Sequence, residues 1–216
     1  MVDRLVTLIG QKHPLTELDC GEFAKMRVNG MNFTIRAYRA ADLGHVSVMR
    51  AVGMLGLMKM DTLIINPTER DLPLYSYDRI FAMGNDTLIV ELYDTLLGDY
   101  FEEKMLNVKE KSEYTVLPER DPGEHWYDSI KLPSSISKKG KKKQTRALDA
   151  MTEEHCVAYL ESSHAPVTDS EAKQAKARVY VNGLLEKGGP STDVFKKSIG
   201  EEKTRALFEQ VLFGTK

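Results

Sequence analysis

Residues 61–94 read DTLIINPTERDLPLYSYDRIFAMGNDTLIVELYD, and the reading of this stretch decides the fold. It holds three β-rich runs, at 62–66, 77–82 and 87–93, dense in Ile, Leu, Val, Tyr and Phe. Pro67, Asp71 and Pro73 fill the first gap and Gly84-Asn85-Asp86 the second, both turn compositions. Apolar runs bounded in this way predict strands joined by hairpins. Within them, Asp78, Glu91 and Asp94 are carboxylates set among residues suited to burial. A sheet face that carries carboxylates is covered by water or a ligand rather than by core, and that face is the candidate site.

Upstream, residues 23–38 predict a hairpin about the Asn29-Gly30 turn, with Phe33, Ile35 and Ala37 alternating against Asn32, Thr34 and Arg36. Residues 42–59 predict a helix, because Val46, Met49, Val52, Leu55 and Met58 recur at threes. Gly44, Gly53 and Gly56 weaken it by up to about 1 kcal/mol each, which close packing on the sheet would offset. Residues 1–21 predict a short helix and a polar connector. Downstream come a helix over 96–111, with Tyr100, Phe101, Met105 and Val108 on its apolar side, a loop to 123, and a final strand over 125–132. Four helices follow at 145–161, 169–185, 192–199 and 201–213, with Asp169 as an N-cap and Gly188-Gly189-Pro190 as a break. Strands flanked by helices predict an α/β layer arrangement, and hairpin connections predict a mainly antiparallel sheet. No repeat or linker divides residues 1–216, so a single domain is expected.

With 42% hydrophobic and 29% charged residues, the composition is that of a soluble globular chain. A net charge of -2 directs it toward neither nucleic acid nor membrane. Cys20 and Cys156 form no disulfide framework and no metal spacing, which fits a reducing cytoplasm. The first ten residues lack the apolar core of a signal peptide, and no apolar window reaches the roughly 18 residues of a membrane span. Phosphate-binding glycine loops, dinucleotide fingerprints and nucleophile elbows are missing, so no nucleotide cofactor is expected. His13, His45, His125, His155 and His164 never share ligand spacing, so no metal is expected either.

Glu91, flanked by Val90 and Leu92, shares a strand face with Ile89 and Tyr93, while Asp94 points the other way. Half-buried, such a glutamate would have its pKa raised and would suit proton donation near neutral pH. The alternative is a structural glutamate with a partner. Asp94 reads equally as a helix cap. Asp78 and Arg79 read as an ion pair at a sheet edge, and Tyr75 and Tyr77 as packing. The basic run SKKGKKKQTR at 137–146 carries Lys138, Lys139, Lys141, Lys142 and Lys143. It is either a solvated loop or frayed helix start, or a docking patch for an acidic partner. It has too few aromatic neighbours for nucleic acid.

Leu72-Pro73-Leu74-Tyr75-Ser76-Tyr77-Asp78-Arg79-Ile80, followed by Ala82-Met83-Gly84 and residues 88–95, resembles the central strands of the ferredoxin-dependent bilin reductases. That family shows an L-P-x-x-G-x-D strand, a glycine, and a strand ending near D-L-x-P. Residues 60–67 resemble its strand ending in F-P-E-P, and residues 125–130 its tryptophan-containing strand. Tyr180, Leu184, Pro190, Phe195, Gly200 and Val211-Leu212-Phe213 resemble its closing helices. The pattern, over roughly residues 36–213, is also similar to red chlorophyll catabolite reductase.

The resemblance implies an α/β/α sandwich with a linear tetrapyrrole between an antiparallel sheet and the C-terminal helices. It implies electrons from reduced ferredoxin or flavodoxin, no tightly bound organic cofactor or metal, and protons from carboxylates and sometimes a histidine. Carried onto this chain, the central acid falls on Glu91, the histidine position on Tyr75, and the acid after the F-P proline on Thr68 or Glu69. Gly189 stands where the family often has an aspartate. Arg36, Arg50 and Arg79 are the implied partners of the ligand's propionates, with Asp78 and Asp94 beside them, and Lys138 to Lys143 the implied dock for an acidic donor. Glu91 implies a reductase; Tyr75 and Gly189 leave open a tetrapyrrole carrier without turnover.

Overall fold

The computed structural model of the chain describes residues 1–100, 102–189 and 191–216, and for Met54 the backbone alone. Its centre is an eight-stranded sheet ordered β1-β3-β4-β5-β6-β7-β8, with β2 alongside β1 on the same edge of β3. The strands are β1 (Leu15–Leu18), β2 (Lys25–Val28), β3 (Met31–Ala40), β4 (Gly44–Gly53), β5 (Met58–Pro67), β6 (Leu74–Ala82), β7 (Asn85–Tyr93) and β8 (Ile136–Lys141). Every pairing is antiparallel, as the hairpin chemistry predicts. The helices are α1 (Val2–Lys12), α2 (Glu103–Lys109), α3 (Ser112–Thr115), α4 (Thr145–Leu160), α5 (Ser170–Lys187), α6 (Thr192–Ile199) and α7 (Glu201–Ala206), which runs into a π-helical turn, Leu207–Leu212.

Two apolar cores make this a three-layer α/β/α sandwich. Leu63, Tyr75, Tyr77, Leu88 and Val90 face α1 and α4 on one side of the sheet, packing against Leu5, Met151 and Tyr159. Phe33, Ile35, Met49, Ile64 and Tyr93 face α5, α6 and the π-helical turn on the other. Among the described residues, no helix is long and apolar enough to cross a membrane.

The helix expected over 42–59 is instead the β4–β5 hairpin. β4 is buried on both faces, so Val46, Val48 and Met49 lose the alternation that marks a strand and their spacing mimics a helix. The glycines punctuate the hairpin: Gly44 begins β4, where a Cβ would lie 2.4 Å from the Asn66 carbonyl, and Gly56 turns the tip at φ 90°. The strand expected over 125–132 is a turn ending in a single bridge between Tyr93 and Lys131. The sheet edge is taken by β8, cut from the basic run expected as a loop or helix start. Its inward positions are Ile136, Lys138 and Gly140, and Lys138 is buried against Glu119. The connector expected after α1 contributes β1. The helix expected over 96–111 is α2 and α3; Phe101 within it, and Pro190 of the later break, lie outside the described residues. The four C-terminal helices stand as expected, with Asp169 accepting a capping hydrogen bond from the Ala172 amide at 2.9 Å.

The end of the chain is fastened to the sheet. Ser47 Oγ donates to the Leu212 carbonyl at 2.6 Å and Asn66 Nδ2 to the Phe213 carbonyl at 2.8 Å. His45 Nε2 lies 2.8 Å from the Val211 carbonyl, and burial lowers its pKa, keeping the ring neutral with Nε2 as the donor. Gly214 then turns at φ 59° directly against the His45 ring.

On the α4 side, Arg79 is fully buried and forks onto Asp86, which also accepts from Thr145 Oγ1. Asp86→Ala should cost about 3–5 kcal/mol in urea denaturation, because it leaves the buried guanidinium with the more distant Asp149, at 3.4 Å, as its counter-charge. Arg79→Met combined with Asp86→Leu should recover most of that loss.

Candidate functional site

The strand period sorts the central residues. Tyr75, Tyr77 and Arg79 of β6 point toward α4, so Ser76 and Asp78 point toward the C-terminal helices. Register sets Thr62 of β5 between Met49 of β4 and Asp78, and Ser76 between Ile64 and Glu91 of β7. Glu91 and Tyr93 share that face. Over it lie Tyr180 and Leu184 of α5, Gly189, Ser191 and Thr192 at the start of α6, and Phe208, Leu212 and Phe213 from the fastened C-terminal segment, with Tyr127 at the side. Between floor and roof is a cavity of about 100 Å³ that opens to solvent.

Two carboxylates stand in it. Asp78 accepts from Thr62 Oγ1, and its pKa is pushed up to about 6, first by burial and then by the Glu91 charge, against the lowering effect of Thr62. Glu91 Oε2 accepts from the Tyr93 hydroxyl at 2.6 Å, and Lys131 Nζ lies 3.9 Å from Oε1. Glu91 also borders a second cleft on the β8 side, lined by Lys109, Lys131, Ser135 and Ser137. The aromatic wall is continuous: Tyr93 lies 4.2 Å from Tyr180 and 5.5 Å from Tyr127, and Tyr180 5.9 Å from Phe213. Burial raises the pKa of all three tyrosines, with the Glu91 charge adding to it, so they remain neutral donors. Trp126 packs on Tyr127, donates from Nε1 to the Gly188 carbonyl at 3.0 Å, and lies so close to Gly183 that a Cβ there would meet its ring at 2.2 Å.

Of the residues expected from sequence to do chemistry or bind the ligand's polar groups, Glu91 and Asp78 meet in the cavity. Tyr75 is on the opposite face, fully buried, with its hydroxyl 3.5 Å from His155 Nδ1 and its ring 4.8 Å from Tyr159. It cannot reach a ligand bound beside Glu91. Glu69 is in the β5–β6 connection, where its carboxylate accepts from Arg39 at 2.8 Å and the Asp42 amide at 3.1 Å. Arg36 pairs with Asp3, and Arg50 with Asp61 and Asp3, on the α1 side of the sheet. Arg79 is committed to Asp86 rather than to Asp78 or a propionate. Asp94 is exposed and accepts from the Leu96 amide at 3.1 Å, capping a turn instead of a helix. Lys138 is buried; Lys139, Lys141, Lys142 and Lys143 are exposed, with Lys141 reaching Asn85 at 2.7 Å. Thr62, Ser76, Tyr93 and Tyr127 were not singled out as site residues. Tyr93 was legible two positions from Glu91 on one strand, whereas Tyr127 arrives by a loop that carries no period. Among the described residues, no group of three or more His, Cys, Asp or Glu side chains is arranged to hold a metal.

Fold and site together define a class: an antiparallel α/β/α sandwich with an acid-bearing cavity between its sheet and its C-terminal helices. The fold is similar to that of phytochromobilin synthase from tomato, solved in complex with biliverdin. The match has a TM-score of 0.75 at 15% sequence identity, over 99% of this chain and 82% of that one. No protein-family model matches the sequence, and no curated protein matches it.

Asp78 makes this site a stability liability. Its folded pKa lies above the ordinary value of 3.8, so the folded state binds more protons than the unfolded state between about pH 4 and 6, and stability falls as pH rises through that window. Asp78→Asn should therefore raise the melting temperature at pH 7.5, by up to about 3 kcal/mol in stability, and leave it nearly unchanged at pH 4. Thermal melts at the two pH values check this.

Proposed function

We propose that this chain binds a linear tetrapyrrole between its sheet and C-terminal helices and reduces it with electrons from an external one-electron donor, ferredoxin or flavodoxin. The observation that carries the reading is the pair Asp78 and Glu91, two carboxylates on one sheet face inside a cavity walled by tyrosines and apolar side chains. The likeness in fold to a biliverdin-bound phytochromobilin synthase supports the ligand class, and the resemblance in sequence to bilin reductases supports the reaction.

In this reading the flat pigment lies on β5, β6 and β7 with Phe208, Leu212 and Phe213 above it. A two-electron reduction consumes two protons, and each electron accepted makes the pigment more basic. Asp78, its pKa raised to about 6, takes up a proton more readily than an ordinary carboxylate and can pass it to the pigment. Glu91 borders both the cavity and the outer cleft, and passes the second inward from solvent. Neutral Tyr93 and Tyr180 orient the polar edge of the ligand by hydrogen bonding, and the apolar roof excludes water. We place the chain in a reducing, cytoplasmic compartment, where Cys20 and Cys156 remain free thiols.

A second reading, a carrier without turnover, is favoured by Gly189, which brings no carboxyl to the roof. Titration with biliverdin distinguishes the two. Binding should shift the pigment bands and quench the single tryptophan, Trp126. Anaerobic addition of reduced ferredoxin should then change the spectrum progressively, about 10²-fold or more slowly in Asp78→Asn and Glu91→Gln, with binding retained. Shifted bands that never change would establish the carrier; no shift with biliverdin would remove the ligand.

A further inference from the structure

One end of the sheet carries a surface that the cavity does not use. The β4–β5 and β6–β7 hairpins turn there, because Gly53 pairs with Met58 and Ala82 with Asn85. Their tips project apolar side chains into solvent: Leu55 is 106% exposed, Leu57 74% and Met83 90%. Leu57 borders the same hollow as Phe81, Gly84 and Lys142, so the two tips and the start of the segment after β8 form one surface.

The backbone marks these positions as unusual. Leu55 at φ 53° and Met83 at φ 51° occupy the left-handed region, where glycine or asparagine is the favoured residue and a bulky side chain is disfavoured. A leucine and a methionine there contribute nothing to the fold, since their side chains touch water. Around them stands positive charge: Lys59, Lys139, Lys141, Lys142, Lys143 and Arg146 are all exposed. The sequence holds no acid between Asp128 and Asp149, and the one carboxylate at the hollow, Asp86, is buried on Arg79.

We propose that this end of the sheet docks on an anionic lipid bilayer, with Leu55, Leu57 and Met83 entering the headgroup region and the lysines contacting the lipid phosphates and carboxylates. Apolar tips that protrude singly suit a deformable bilayer better than a folded partner, which would offer them a pocket and would not need them proud of the surface. The basic collar matches the negative charge of a cytoplasmic leaflet, each lysine near it strengthening binding about fivefold. The assignment gives the basic run a role different from docking an acidic protein.

Sedimentation with vesicles tests it. The chain should pellet with vesicles of phosphatidylcholine and phosphatidylserine and stay in solution with phosphatidylcholine alone. Lys141→Gln, Lys142→Gln and Lys143→Gln together should weaken binding about 10²-fold. Leu55→Asn with Met83→Asn should release the chain while the melting temperature holds or rises, because asparagine suits both turns; a lost fold therefore cannot imitate the result. Equal pelleting of that variant would overturn the insertion of the tips. Failure to pellet on anionic vesicles, with retention on an immobilised acidic peptide that the lysine variant loses, would overturn the bilayer in favour of an acidic protein.

Discussion

Three side-chain hydrogen bonds hold the roof of the cavity over its floor. Ser47 and Asn66, with His45 beside them, bond the carbonyls of residues 211–213, in the last turn of the helical layer. A π-helical turn leaves backbone carbonyls poorly matched to the regular ladder, and a buried carbonyl without a partner costs about 1–3 kcal/mol. The sheet supplies the missing donors, so the roof docks in one register. That register delivers Leu212 and Phe213 over Thr62, Ser76 and Asp78. Without it, the acid-bearing face would be wet and the apolar roof would have nothing to cover.

A second constraint is the strand period. On β6, successive residues alternate, with Tyr75, Tyr77 and Arg79 facing the packed interior and Ser76 and Asp78 facing the cavity. The interior face tolerates one charge, Arg79, because Asp86 and Thr145 meet it. The cavity face answers Asp78 by raising its pKa to about 6, which shifts it toward the neutral form. The same strand thus shows both ways of keeping an ionisable group from water, pairing and neutralisation.

Much of the layer order was legible, because hairpin turns and apolar runs are local signals. Asn29-Gly30, with φ values of 49° and 76°, closes its hairpin as the dipeptide predicts. The failures came where burial hid the pattern. β4 is buried on both faces, so its threefold spacing of apolar residues looked helical. β8 puts a lysine at an inward position, where Glu119 and the Leu117 carbonyl, both distant in sequence, meet its ammonium. Of the site, Glu91 and Asp78 were visible as acids in β runs. Tyr75 was misplaced because a family position transfers only if the face transfers, and on β6 a single step changes face. The aromatic wall from Tyr127 and Tyr180 joins residues far apart in sequence, which no local pattern can reveal.

The fastening of residues 211–213 to β4 and β5 also orders events in time. The strands that carry the two acids leave the ribosome long before the segment that covers them. During synthesis that face is therefore an open shelf until the lid is made. In the finished molecule, uncovering that face again means parting His45, Ser47 and Asn66 from their carbonyls. Covering the face is thus a later event than forming it.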